Sequence, residues 1–317
     1  MIYRAPGKIV LWGEYAVLAG APAAIAAVNR YASVQLTPHV NSWTFVSTGF
    51  LTPGVHNFSG QFTDAPCAAM AERVLRYFDL NSLPAGFNLF SDTTGFYHPF
   101  DHKANGSAKY GLGSSAAVCT ATYCALADFV GRDKQLHEAM AIHRAFQKGR
   151  GSGLDVAASW HGGIIRFESG DVQPQTWPDN LHWQAVWTGT SAGTDTALGH
   201  FDRWQAEADK TPLNALVEAS NLLCDVPSMD NLASYTQTLG LLDKAAHLNI
   251  FTPAHQRLAT IAHAHHLIYK PCGAGGGDIG IAVGEDRHAV QQFCRQAAAQ
   301  NYVPLNLEIA PDGVKTA

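Results

Sequence analysis

Two glycine-rich stretches far apart in the chain, and one lysine near its start, are the residues whose types and spacing point to chemistry. The first stretch runs Lys109-Tyr110-Gly111-Leu112-Gly113-Ser114-Ser115-Ala116-Ala117 and places small residues where a loop turns into a helix. Backbone N–H groups and the helix dipole can converge there on phosphate oxygens. The spacing is neither that of a Walker A loop nor that of a dinucleotide-binding Gly-x-Gly-x-x-Gly. The same residues could equally form a capped helix start. The second stretch, Lys270-Pro271-Cys272-Gly273-Ala274-Gly275-Gly276-Gly277-Asp278, sits between a helix pattern and a strand pattern. Such a run loses much backbone entropy on folding and supplies no core, so it serves tight turns or the close approach of a ligand. Lys8 enters the apolar strand pattern Ile9–Trp12, where a buried ammonium is costly without an acidic or phosphate partner.

The elements that must position these residues can be read in outline. Strand patterns cover Ile9 to Trp12, Val28 to Leu36, Trp43 to Ser47 and Phe87 to Phe90. A helix is expected from Pro66 behind Asp64, another over Ser115 to Val130 with one apolar face, and a third from a capping Asp133 to Gln147. Residues Ser91 to Lys109 read as a long loop. Farther on, Thr211-Pro212 and Thr252-Pro253 each place an N-cap before a first-turn proline, and strands are expected at Leu181 to Thr188, Ile279 to Val283 and Leu305 to Ile309. The mixture predicts an α+β fold, divided near Ser169 to Pro178 into segments 1–172 and 173–317.

Bulk properties narrow the function classes. The 317-residue chain is 47% hydrophobic and 15% charged, which is globular and not disordered composition. A net charge of -5 argues against nucleic acid or an anionic membrane as a partner, so any anionic ligand must be met by local cations. The six cysteines are scattered without zinc spacing and read as reduced thiols. Neither a signal peptide nor a membrane span is expected, so a cytoplasmic chain acting on a small molecule, monomeric or homodimeric, is anticipated. His263, His265, His266, His98 and His102 lack ligand partners at metal spacing.

Taken in order, Ala5-Pro6-Gly7-Lys8 with Gly13-Glu14-Tyr15-Ala16-Val17, the first glycine stretch, Gly151-Ser152-Gly153-Leu154-Asp155, and the second glycine stretch resemble the signature segments of the GHMP kinases. Within that superfamily, Gln147-Lys148-Gly149-Arg150-Gly151-Ser152-Gly153-Leu154-Asp155-Val156-Ala157-Ala158 is similar to the phosphomevalonate kinase pattern. Mevalonate kinases usually carry a glutamate eleven residues before the aspartate, and here that position is Arg144. The resemblance implies a two-lobed fold: an N-terminal α/β sandwich with a left-handed crossover, and a C-terminal ferredoxin-like α+β lobe.

It also implies roles. Lys8 and Asp155 would flank the transferred phosphoryl group, where an ammonium stabilises charge spread over its oxygens. Lys109, Gly111, Leu112, Gly113, Ser114, Ser115 and Ala116 would hold ATP, with Lys103 near it and Ser115 as a ligand of Mg2+. Glu14, Tyr15, Ser152, Gly153, Gly275 and Gly276 would border the acceptor. Arg144, Lys148 and Arg150 would offset repulsion between two anionic substrates, although each could also be a solvated surface side chain. Mevalonate 5-phosphate is the expected acceptor, with another alcohol or a sugar, or an idle nucleotide-binding relative, as alternatives.

Overall fold

A computed structural model describes residues 1–40, 42–49, 53–63, 65–80, 86–98, 108–192, 194–207 and 209–317. Lys103, His102, Asp101 and Asp64 lie outside the described residues.

The first lobe is built on β1 (Ile2–Trp12) and β2 (Ala23–His39), paired antiparallel. From Ala5 to Trp12 every residue of β1 is buried, so both faces of this strand are covered. The pairing register shifts between Pro6 and Gly7. Proline cannot donate to a ladder, so a bulge at this point is expected. The sheet extends through β5 (Gly86–Asp92), β3 (Trp43–Thr48) and β4 (Gly54–Phe58), with β6 (Ile164–Glu168) on β2 and β7 (Asp171–Pro174) on β6. The β3–β5 pair is parallel and the others are antiparallel. The chain's last strand, β12 (Lys315–Thr316), returns to pair with β1.

Helices α1 (Ala69–Tyr77), α2 (Ser114–Phe129), α3 (Leu136–Phe146) and α4 (Leu154–His161) belong to this lobe. The α2 helix is buried nearly all round, not along one face as its periodicity suggested. Its Ala, Ser, Thr and Cys side chains are small enough for β1 and β2 to pack on one side and α1, α3 and α4 on the other. Helix α3 starts at Leu136 and is not capped by Asp133; the preceding Gln135 N–H donates to the Tyr123 hydroxyl at 2.8 Å. Helix α1 likewise begins three residues after Pro66.

The second lobe carries an antiparallel sheet in the order β11 (Val303–Leu305), β8 (His182–Trp187), β10 (Ile279–Gly284), β9 (Ile268–Pro271). Its helices are α5 (Thr194–Glu207), α6 (Thr211–Asp225), α7 (Met229–Ala246), α8 (Pro253–Ala264) and α9 (Arg287–Ala299). Thr252 caps α8 as its Thr-Pro pair predicts, whereas α6 begins at Thr211 itself, whose hydroxyl donates to Asp209 at 2.8 Å. Helix α6 is fastened to the first lobe by Ser220, which donates to the Pro22 carbonyl at 2.7 Å. The result is a mixed α+β, two-lobed molecule.

Candidate active site

Three chain segments meet around Lys8. The Lys8 N–H donates to the Leu112 carbonyl at 2.9 Å, which ties β1 to the first glycine stretch just where the bulge interrupts the ladder. The lysine stem then lies against Gly113, the left-handed cap of α2 at φ 77°; a Cβ there would stand 3.0 Å from Lys8 Cγ. The ammonium reaches Asp155 Oδ1 at 3.3 Å. Asp155 occupies the first turn of α4, where the helix dipole favours a carboxylate. The starts of two helices, one cation and one anion therefore converge.

A cavity of about 120 Å³ opens at this point, lined by Lys8, Glu14, Tyr15, Gly111, His143, Gln147, Gly151 to Asp155, Cys272 to Ala274 and Asp278. Leu112, Ser114 and Ala116 are buried beside it. Ser115 stands at 3.2 Å from His143 Nε2. Burial takes His143 down to about 4, with the Lys109 and Lys8 charges acting in the same direction against Asp155, so the imidazole is neutral at pH 7.

The second lobe closes the cavity from the opposite side. Ser191 Oγ accepts from the Lys109 N–H and donates to the Lys109 carbonyl, both at 3.0 Å. Asp278 packs on Gly111, where a Cβ would fall 2.4 Å from its carboxyl carbon, and it accepts from the Ala192 N–H at 3.0 Å. Burial raises the Asp278 carboxyl above its ordinary range, opposed by that N–H and by Lys109 and Lys8. Tyr15 donates to the Ala274 carbonyl at 2.7 Å. His255 Nε2 meets the Gly277 carbonyl at 2.9 Å while its Nδ1 meets the Tyr269 hydroxyl at 2.8 Å.

Several expected site residues lie elsewhere or act differently. Glu14 borders the cavity, but its carboxylate is taken: Lys270 Nζ lies 2.5 Å from Oε1 and the Tyr235 hydroxyl donates to Oε2 at 2.6 Å. Gly275 packs against Ile250 and Gly276 donates to the Ile250 carbonyl at 3.4 Å; both shape the turn, and Gly273 and Ala274 line the cavity in their place. Lys148 is exposed at φ 57° and lines neither this cavity nor its neighbour. Arg150 turns to Asp202 at 3.8 Å, because α5 brings that carboxylate near. Arg144 lines a second cavity next to the first. Sequence reading missed His143, Tyr235 and His255, which carry no local motif. A lysine in the apolar run Ile268–Cys272 and the aspartate ending the glycine run were usable signals for Lys270 and Asp278.

Among the described residues no group of three or more His, Cys, Asp or Glu could cage a metal ion. One hydroxyl, Ser115, and one carboxylate, Asp155, beside glycine-rich backbone suit a magnesium ion that brings phosphate oxygens and waters as most of its ligands. No helix among the described residues is long and apolar enough to cross a membrane.

Residues 68–163 match the family model described as the GHMP kinases N terminal domain. The chain is 27% identical to a phosphomevalonate kinase of Streptomyces sp. (strain CL190), across 99% of this chain and 98% of that protein. It is 33% identical to a mevalonate kinase of Archaeoglobus fulgidus over 53% of this chain and 52% of that one. Its fold matches that of Streptococcus pneumoniae phosphomevalonate kinase in complex with phosphomevalonate and AMPPNP, with a TM-score of 0.76 at 17% identity, covering 98% of this chain and 99% of the other.

Proposed function

Because the chain carries the N-terminal domain of the GHMP kinases and the fold of their solved members, we propose that it transfers the terminal phosphoryl group of ATP to mevalonate 5-phosphate, giving ADP and mevalonate 5-diphosphate. The observation that carries this reading is the Lys8–Asp155 pair, 3.3 Å apart at the junction of two helix starts inside the cavity. The bond between the terminal phosphorus and the β,γ-bridging oxygen breaks as an acceptor oxygen bonds to that phosphorus. Lys8 Nζ, held by Asp155 and stiffened by Gly113, stabilises the negative charge spread over the phosphoryl oxygens in flight. A phosphate monoester is largely dianionic at neutral pH, its second pKa lying near ~6, so Asp155 orients the groups and need not remove a proton. Magnesium, held by Ser115 and Asp155, would supply further charge neutralisation. The N–H groups at the starts of α2 and α4 add fixed positive dipole ends on either side.

A second reading has its own support. Among the described residues Lys8 is the one lysine or arginine lining the main cavity, which is a thin cationic complement for two anionic substrates. An alcohol acceptor such as mevalonate requires less, and Asp155 then takes the hydroxyl proton as general base. Release of ADP measured with mevalonate, mevalonate 5-phosphate and a panel of sugars separates the readings. Turnover on the monophosphate is expected; turnover on mevalonate or a sugar without any on the monophosphate overturns the assignment.

A further inference from the structure

Next to the cavity at Lys8 lies a second one of about 330 Å³, and Leu18, Gly151 and Ser152 line both. Its remaining lining includes the apolar side chains of Val17, Met140 and Phe167 and one charged group, Arg144 of α3. Arg144 is exposed and its Nη2 lies 3.4 Å from the Ser152 carbonyl. Among the described residues no carboxylate stands within ion-pair distance of it, whereas Arg132 and Arg150 each meet one and Arg166 meets two. Among the described residues there is one lysine or arginine per cavity: Lys8 beside Asp155 in the first and Arg144 in the second.

We propose that Arg144 sets acceptor specificity by binding a carboxylate at the end of the acceptor remote from the group that is phosphorylated. This rests on the kinase reading and changes the part Arg144 plays in it, since the guanidinium is absent from the lining where the phosphoryl group would pass. An acceptor spanning both cavities puts its nucleophilic oxygen at Lys8 and Asp155, its short aliphatic body along Leu18 and Met140, and its far anion on the guanidinium. The planar fork of arginine matches a carboxylate with two parallel N–H···O bonds, which a lysine cannot reproduce.

The test uses the full chain, ATP and three acceptors: mevalonate 5-phosphate, mevalonate, and the analogue of whichever is turned over with its carboxylate reduced to an alcohol. For Arg144→Gln the acceptor KM is expected to rise about tenfold to a hundredfold, with kcat and the KM for ATP within about threefold, the signature of lost uniform binding. Arg144→Lys recovers part of that loss. Wild type is expected to lose the same factor on the alcohol analogue, and Arg144→Gln to show no further loss on it. If Arg144→Gln still prefers the carboxylate by the wild-type factor, or its acceptor KM is unchanged, the assignment of Arg144 is overturned while the kinase reading stands. If wild type releases no ADP with any acceptor, the kinase reading fails, and this inference with it.

Discussion

Two ammonium–carboxylate pairs border the same cleft and differ in almost every physical respect. Lys270 and Glu14 lie 2.5 Å apart with side chains 0% and 1% exposed. Both Glu14 oxygens are used, because the Tyr235 hydroxyl donates to the second and itself accepts from the Gly13 N–H at 2.8 Å. Lys8 and Asp155 lie 3.3 Å apart with the carboxylate 28% exposed. The first pair joins a strand of the second lobe to the turn after β1 and is closed off from solvent. The second pair is longer, opens on the cavity and keeps acceptor and donor capacity. A closed pair fixes the walls of a site, and an open pair beside it can do chemistry.

The largest effect should come from breaking the closed pair. Glu14→Gln leaves a buried ammonium without its counter-charge and is expected to destabilise the fold by about 3–5 kcal/mol, as is Lys270→Met. Urea unfolding checks this, and the double variant should recover part of the loss because neither charge is then stranded. If either single variant is as stable as wild type, the two pairs do not differ in the way their burial indicates.

The open pair should behave oppositely. Lys8→Met is expected to lower turnover by about a hundredfold to a thousandfold, the scale of one removed charge-stabilising donor. Its cost in stability should stay below about 1 kcal/mol, since water and the α4 helix start still serve Asp155. A large loss of stability with intact turnover would make Lys8 a structural residue like Lys270.

A pH-dependent effect sharpens how the second lobe holds its glycine run without charge. His255 is taken down to about 4 by burial, opposed by the Gly277 carbonyl and aided by Lys270, so its neutral ring accepts from Tyr269 at Nδ1 and donates to Gly277 at Nε2. Its unfolded pKa is about 6.5, so between that value and about 4 the unfolded chain binds a proton that the native protein refuses. Stability from this group is therefore full above pH 6.5 and is lost as pH falls toward 4, on the order of 3 kcal/mol across the window. Unfolding measured from pH 7 to pH 4 should show a shallower acid loss in His255→Gln than in wild type; equal slopes would remove His255 from the account.

Much of the site is local and was legible for that reason. A glycine-rich turn feeding a helix of small residues, a lysine entering an apolar strand and an aspartate opening a buried helix are each recorded within a few consecutive residues. Local backbone demands, left-handed φ at Gly113 and Gly153 above all, tie residue type to conformation with no help from distant chain. The cations Arg144, Lys148 and Arg150 looked alike because all three follow one another on and after one helix. Only their direction separates them: one faces a cavity, one faces water and one faces Asp202 of α5.

Sequence alone thus determined the glycine-rich turn that feeds a helix, the candidate lysine and aspartate, and the α+β character, since each follows from short-range pattern and backbone preference. Tertiary structure decided which partners those groups meet: Glu14 with Lys270 across 256 positions, Ser115 with His143, and Gly111 against Asp278. Such pairings depend on packing between elements distant in the chain, and the free energy of burying a charge is set by what the fold places around it and not by its neighbours in sequence.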